Sequence, residues 1–211
     1  MNETEEEQIE AMKKWWAENG RSIIIGVVLG IGGIFGWRYY EAGELDYSRQ
    51  ASQAFQEVLE RYNQGEHENL DADLNALKSD FSKSPYAALG ELLRARKLVD
   101  DNELEQASAS LRWAVDNSPE EDVRTIGRIR LARVYTALDR ADDALAVLDE
   151  VKADSFAGLL EEVRGDAWLA KGDPEKARQA YQRASVAGEG TGSGSLLQMK
   201  IDDLAVADAN G

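Results

Sequence analysis

GDAWLAKGDPEKA, residues 165–177, carries the signals for a helix, a turn and a second helix. Gly172 is a turn residue, and Asp173 followed by Pro174 is a pair with which helices commonly begin. Gly165 and Ala177 are small enough to let two helices approach closely, whereas Trp168 fills the groove beside that contact. The segment therefore predicts two helices packed together across a short turn.

Two weaker copies of this pattern come earlier in the chain. Ala107, Ala144 and Ala177 occupy the same place in the three copies and are 37 and 33 residues apart. Around each alanine, small residues stand at the closest helix contacts, large apolar residues stand between them, and a turn residue comes five positions before. The matching sets are Ala95, Ala132 and Gly165; Leu98, Tyr135 and Trp168; Asn102, Asp139 and Gly172; Leu111, Leu148 and Tyr181; and Ala114, Val151 and Ala184.

This pattern resembles the tetratricopeptide repeat, a helix–turn–helix unit of roughly 34 residues. We therefore predict an all-α chain with a tetratricopeptide-repeat-like helical solenoid. An irregular helical bundle is the alternative, because the spacing is uneven and the first two copies lack the small glycine and the tryptophan. Two more helices are expected near Tyr47–Gln64 and Leu70–Phe81, and a last helix, Leu196–Ala207, is expected to cover the apolar end of the solenoid.

All three prolines stand where helices are expected to begin: Ser84-Pro85, Ser118-Pro119 and Asp173-Pro174. Proline is tolerated in the first turn because its missing N–H has no partner there, and the preceding Ser or Asp side chain can cap the helix. Glu121, three residues after Ser118, adds the second half of a capping box. We expect one helix to begin at each of these pairs.

An uncharged run, Ser22–Trp37, lies near the N-terminus and is followed by Arg38, Tyr39 and Tyr40. Counted through Tyr40 it has 19 residues, and a helix of that length spans roughly 28 Å, close to the thickness of the bilayer's hydrocarbon core. The aromatic residues at its end are typical of a membrane interface. The sequence thus predicts a tail at 1–21, a transmembrane helix at 22–40 and a soluble domain at 41–211.

The charges on either side of this segment indicate its orientation. Basic residues precede it and acidic residues follow it, which places the N-terminus in the cytoplasm and the C-terminal domain outside. A cleaved signal peptide is the alternative, but Tyr40-Glu41-Ala42 lacks the small residues that a cleavage site needs. The flanking charges are Lys13, Lys14 and Arg21 before the segment, and Glu41, Glu44 and Asp46 after it.

Gly26, Gly30 and Gly33 share one face of the predicted transmembrane helix. Small residues at this spacing let a second helix approach closely, so we expect this face to pack against a helix of this or another protein. The alternative is that glycine is simply common in membrane helices.

The chain has a net charge of −16, no cysteine and a single histidine, His67. An acidic surface repels the phosphates of nucleic acids and anionic lipid headgroups, so neither is an expected partner of the soluble part. The lack of cysteine excludes disulfides, Cys-ligated zinc and thiol chemistry. Motifs for nucleotide binding, serine hydrolysis and zinc proteolysis are missing. We expect no catalytic site, no metal site and no cofactor.

Stacked helix pairs form a concave groove lined by the first helix of each pair. A groove with aliphatic and charged side chains suits the binding of a peptide or a helix of another protein. For each single residue, an ordinary solvated surface is the alternative. By repeat register, the expected groove residues are Leu92, Arg96, Ile129, Arg133, Leu159, Glu162 and Asp166.

Three segments resemble the YfgM family: Ala17-Glu18-Asn19-Gly20-Arg21, Gly36-Trp37-Arg38-Tyr39-Tyr40, and Leu197-Gln198-Met199-Lys200-Ile201-Asp202-Asp203-Leu204. With the repeats between them, the resemblance covers nearly the whole chain. It implies a protein of the Gram-negative inner membrane with a periplasmic tetratricopeptide-like domain.

The same resemblance implies partners. Family members are ancillary subunits of the SecYEG translocon, associate with the periplasmic chaperone PpiD and are thought to help newly secreted client chains. The cytoplasmic tail, here the acidic run Glu3–Glu10, is linked in the family to restraint of the regulator RcsB. A scaffold subunit of another envelope assembly complex is the alternative function.

Overall fold

The computed structural model describes residues 3–152, 156–187 and 194–209. These described residues form nine α-helices and no strand, which confirms the predicted all-α class. The helices are α1 Glu3–Asn63, α2 Leu70–Asp80, α3 Pro85–Asp100, α4 Leu104–Asn117, α5 Glu121–Ala137, α6 Ala141–Asp149, α7 Ala157–Ala170, α8 Pro174–Ala187 and α9 Gly194–Ala209.

Helix α1 is continuous over 61 residues and runs through the segments that the sequence analysis separates into a tail, a membrane span and a first domain helix. It contains a stretch long and apolar enough to cross a membrane. Large side chains there, such as Leu29 and Phe35, are 70% and 68% exposed. Such a surface is stable in lipid, where a helix satisfies its own backbone hydrogen bonds. The chain divides into two compact units between Gln50 and Ala51.

Three helix hairpins follow one another in the second unit: α3–α4, α5–α6 and α7–α8. The turn residues Asn102, Asp139 and Gly172 have φ angles of 61°, 58° and 83°. In each hairpin the next residue donates its N–H to the carbonyl five positions earlier, which closes a Schellman turn. These bonds run from Glu103 to Leu98 (2.7 Å), from Arg140 to Tyr135 (2.9 Å) and from Asp173 to Trp168 (3.0 Å). The structure thus confirms the repeat and its turn positions.

Small residues lie where the helices of a hairpin are closest. Ala107, Ala144 and Ala177 are each 0% exposed. At Gly165, an added Cβ would lie only 2.4 Å from Cε1 of Tyr181 on the facing helix α8. Of the large repeat residues, four are buried and two pack half-buried against the core. The buried ones are Leu111, Tyr135, Leu148 and Tyr181, and the half-buried ones are Leu98 and Trp168.

Two further glycines permit close contacts that the sequence analysis did not identify. A Cβ at Gly90 would lie 2.8 Å from Leu77, and one at Gly127 would lie 2.9 Å from Val115. Gly90 brings α3 close to α2, and Gly127 brings α5 close to α4. The packing of α3 on α2, and of the second hairpin on the first, therefore depends on small residues too.

Two of the three proline-linked caps form as predicted. The Ser84 hydroxyl accepts the N–H of Ala87 at 3.3 Å, and the Asp173 carboxylate accepts the N–H of Lys176 at 3.1 Å. The prediction at Ser118 is wrong, because α5 begins only at Glu121.

Ser118 instead ends the preceding helix. Its N–H donates to the carbonyl of Ala114 at 3.1 Å. Its hydroxyl accepts the N–H of Glu120 at 3.2 Å, which stabilises a tight turn before α5. A serine side chain that bonds locally in this way no longer caps the next helix.

The second unit, Ala51–Gly211, is called the helical unit below. Helix α9 covers one end of it, as expected for the segment Leu196–Ala207. Leu197 and Leu204 are 3% and 8% exposed and pack in one cluster with Tyr181. At the other end, the last part of α1 supplies Val58, which clusters with Leu74 of α2 and Leu93 of α3. Both apolar ends of the repeats are therefore covered.

We expect Gly165→Ala to lower the free energy of unfolding by about 1–3 kcal/mol, because the new methyl group would overlap the Tyr181 ring. Thermal unfolding of the full-length protein in detergent, followed by circular dichroism, measures the effect. Tyr181→Leu removes the ring, so the double variant should lose less stability than the two single variants combined. Strictly additive losses would show that Gly165 does not serve this contact.

We expect Asn102→Ala and Asp139→Ala each to cost about 1 kcal/mol, because alanine is strained at positive φ. Glycine has no such strain, so Asn102→Gly and Asp139→Gly are the matched controls and should be at least as stable as the parent. The same unfolding measurement compares the two substitutions at each site. Equal stability of the alanine and glycine variants would contradict the turn geometry.

Candidate functional site: a cationic cleft between α3 and α5

A cleft with a volume of about 390 Å³ lies between α3 and α5, the first helices of two successive hairpins, with α4 contributing to it. Its lining is mostly aliphatic, with guanidinium groups from both walls. The lining residues are Leu92, Ala95, Arg96, Val99, Asp100, Leu104, Leu111, Arg130, Arg133, Val134 and Ala137.

Each wall is a single helical face. On α3 the lining residues Leu92, Ala95, Arg96 and Val99 follow the spacing i, i+3, i+4, i+7, and Arg130 begins a face with the same spacing on α5. Residues at this spacing lie above one another on a helix. The stacking of hairpins brings these two faces opposite each other and leaves a space between them.

The cleft carries an excess of positive charge. Arg96, Arg130 and Arg133 line it, whereas Asp100 is its single acidic lining residue. Within the part of the chain that the structure describes, none of the three arginines has a salt bridge. Partial desolvation lowers the pKa of Arg130, and the charges of Arg96 and Arg133 lower it further. Arg130 is thus close enough to both Arg96 and Arg133 to be repelled by them.

The structure brings three of the seven predicted groove residues into this cleft: Leu92, Arg96 and Arg133. Ile129 is not among the residues that line the cleft; it is 1% exposed and packs in the core. Arg130, the next residue along, lines the cleft but was not among the predicted groove residues. Arg130 precedes Arg133 by three residues, the same spacing as Leu92 and Ala95 on the opposite wall. This spacing is the signal that could have identified Arg130.

The other three predicted groove residues lie on α7, outside the cleft. Leu159 is 38% exposed. Glu162 and Asp166 accept hydrogen bonds from the ammonium group of Lys200 at 3.0 and 2.8 Å. The Tyr181 hydroxyl donates to Asp166 at 2.7 Å. These two carboxylates therefore hold α9 in place rather than face a free groove.

Lys200 sits at the centre of this contact. Burial alone would lower the pKa of Lys200, but its hydrogen bonds to Asp166 and Glu162 raise the pKa above the ordinary value. The ammonium group also lies 5.2 Å from the centre of the Tyr181 ring. In the folded protein Lys200 is therefore positively charged at neutral pH, and it links α9 to α7 and α8.

Gly26, Gly30 and Gly33 lie on exposed surface of α1, and a Cβ at any of them would meet no atom within 4 Å other than the neighbouring backbone of α1 itself. Their packing against another helix stays a prediction. The ring of His67 contacts that of Tyr62 in a tilted arrangement, with 4.9 Å between the centroids and 53° between the planes. Among the described residues, no group of three or more His, Asp or Glu side chains is placed to hold a metal ion.

Comparison with known proteins agrees with this architecture. A family model described as a tetratricopeptide repeat-like domain matches residues 13–206. A protein of Escherichia coli K12 named "Ancillary SecYEG translocon subunit" is 35% identical over 204 residues, which cover 97% of this chain and 98% of that protein. The chain belongs to the YfgM family.

Other YfgM-family proteins with the same printed name match over similar lengths. The Haemophilus influenzae protein is 32% identical over 95% of this chain and 97% of its own length. The Neisseria gonorrhoeae protein is 26% identical over 95% of this chain and 97% of its own length. The matches therefore include both the apolar helix and the helical repeats.

For this YfgM-family chain we expect Lys200→Met to loosen α9, because Glu162 and Asp166 would lose their shared cation in a partly buried site. The free energy of unfolding should fall by about 1–2 kcal/mol, and amide hydrogen exchange in α9 should accelerate more than in α3 or α5. Lys152→Met, at an exposed lysine outside this contact, is the control. Unchanged exchange in α9 would refute the role of Lys200.

Proposed function

We propose that this chain is a membrane-anchored interaction subunit of the SecYEG translocon that helps periplasmic chaperones handle newly exported proteins. The observation that carries the proposal is the 35% identity to an ancillary translocon subunit over 97% of the chain. A match of that extent includes the anchor, the repeats and the closing helix, so the relationship is not limited to a common repeat motif.

In this proposal each unit has its own task. The apolar part of α1 holds the chain in the inner membrane, with the N-terminus in the cytoplasm and the helical unit in the periplasm. The glycine face of α1 packs against a translocon helix, since close approach of helices is the main source of affinity within lipid. The helical unit binds protein segments, because hairpin repeats offer an extended surface of rigid helix faces.

The finer partners are also part of the proposal. The chaperone PpiD and emerging client chains would meet the helical unit on the periplasmic side. RcsB would meet the acidic tail, Glu3–Glu10, on the cytoplasmic side. These three partners follow from the family resemblance, and each needs its own binding measurement.

Co-purification tests the anchor. From membranes dissolved in mild detergent, the full-length chain should recover SecYEG, and Gly26→Leu combined with Gly30→Leu should reduce that recovery at least about fivefold. The larger side chains would keep a neighbouring helix from approaching closely. Gly32→Leu combined with Gly36→Leu places the same substitutions on another face of α1 and serves as the matched control.

Photocrosslinking from positions 26 and 30 identifies the neighbour directly. Crosslinks to translocon helices are expected. Crosslinks to a cell-wall or outer-membrane assembly complex, together with no recovery of SecYEG, would reject the proposal in favour of an envelope scaffold. If both pairs of substitutions reduced the recovery of SecYEG equally, the loss would not be specific to the face containing Gly26 and Gly30, and that face would be rejected as the contact.

A further inference from the structure

We infer that the cleft between α3 and α5 binds an acidic peptide segment, with an aliphatic side chain inserted between Arg96, Arg130 and Arg133. This inference deepens the proposed function, and it rests on that function only in taking the ligand to be part of another protein.

The charge of the cleft is the first argument. In a chain with a net charge of −16, many cations are paired within the molecule. Arg61 lies 2.9 Å from Asp73, and Arg164 lies 3.1 Å from Asp149. The three cleft arginines have no such partner among the described residues, and Arg130 is repelled by the other two. A cluster of this kind is electrostatically costly in isolation and is stabilised when carboxylates bind to it.

The lining of the cleft is the second argument. Val99 is 41% exposed, and Leu104 and Val134 line the same space. The volume of about 390 Å³ falls in the range of protein ligand pockets, roughly 300–1,000 Å³. A bare anion would leave this aliphatic surface in contact with water, whereas an aliphatic side chain would cover it. The cleft therefore fits a ligand with both an apolar group and negative charges.

The positions of the arginines give the third argument. Arg96 stands on one wall, and Arg130 and Arg133 stand on the other. A guanidinium group binds a carboxylate through two parallel N–H donors. A segment with carboxylates on both sides of an aliphatic residue can therefore bond to both walls at once.

A nucleic acid is a poorer match for this cleft. The net charge of −16 repels a polyanion at long range. No aromatic residue is among those that line the cleft, so bases would find no ring on which to stack. A short acidic peptide carries less charge and uses the aliphatic surface that a phosphate backbone would not.

Fluorescence anisotropy tests the inference on the full-length protein in detergent. The probe is a labelled peptide, Ser-Asp-Leu-Glu-Leu-Asp-Ser. It should bind at least about tenfold more tightly than versions with Lys for the acidic residues or Ala for both leucines. Binding should weaken as salt is raised, because the cleft is open to solvent. Equal binding of the acidic and basic peptides would overturn the inference.

Substitutions locate the site. Arg96→Gln, Arg130→Gln and Arg133→Gln should each weaken peptide binding about tenfold. Lys152→Gln, which removes the same charge from an exposed position outside the cleft, should change it by less than about twofold. Circular dichroism confirms that each variant is folded. An equal loss in the Lys152 variant would overturn the inference.

Two further outcomes separate the alternatives. If the peptide fails to bind while SecYEG still co-purifies, the inference is wrong and the proposed function stands. If the peptide binds through the arginines and SecYEG does not co-purify, the proposed function is wrong and the cleft assignment stands. A dimer in sedimentation that Arg133→Gln dissociates would assign the cleft to a second copy of this chain and overturn the inference.

Discussion

Close contact between paired helices at small side chains is the constraint on which the helical unit depends. Ala107, Ala144 and Ala177 have no exposed surface, and Gly165 faces the Tyr181 ring with no room for a Cβ. Each contact lets the neighbouring large side chains interlock, and close-packed interiors tolerate little change in volume. The three hairpins owe their common geometry to this contact and to the Schellman turn that precedes it.

The cationic cleft follows from the same geometry. Stacked hairpins bring α3 and α5 side by side, and Arg96 and Arg133 lie at equivalent repeat positions, 37 residues apart. Equivalent positions in neighbouring repeats lie on corresponding helix faces, and stacking brings these faces together. An arginine at the same position of two repeats therefore places two positive charges in one cleft. Elsewhere, as between Lys200 and Asp166, opposite charges pair and hold helices together. The cleft differs because its positive charges lack acidic partners within the described residues.

The helices and the turn positions were predictable because they depend on local sterics: small residues at contacts and turn residues at fixed spacing. The site was predictable only in part. Successive residues on a helix differ in direction by about 100°. Only the packing of α5 could therefore show that Arg130, and not its neighbour Ile129, lines the cleft. Ser118 ended α4 through its backbone N–H, and its hydroxyl stabilised the turn before α5 instead of capping α5. The continuity of α1 was not evident either. The sequence changes from polar to apolar and back to polar along this segment, whereas the backbone stays helical throughout.

The position of α9 has a consequence for the order in which the polypeptide matures. Contacts within each hairpin are local, so each hairpin can form as soon as its own residues are available. Helix α9 follows α8 in the chain, and until α9 has formed, Tyr181 and its neighbours at the end of the stack stay uncovered. Exposed apolar surface of this kind favours aggregation and recognition by proteases. A chain whose synthesis stops before α9 therefore leaves the apolar surface around Tyr181 exposed, which makes it a target for removal.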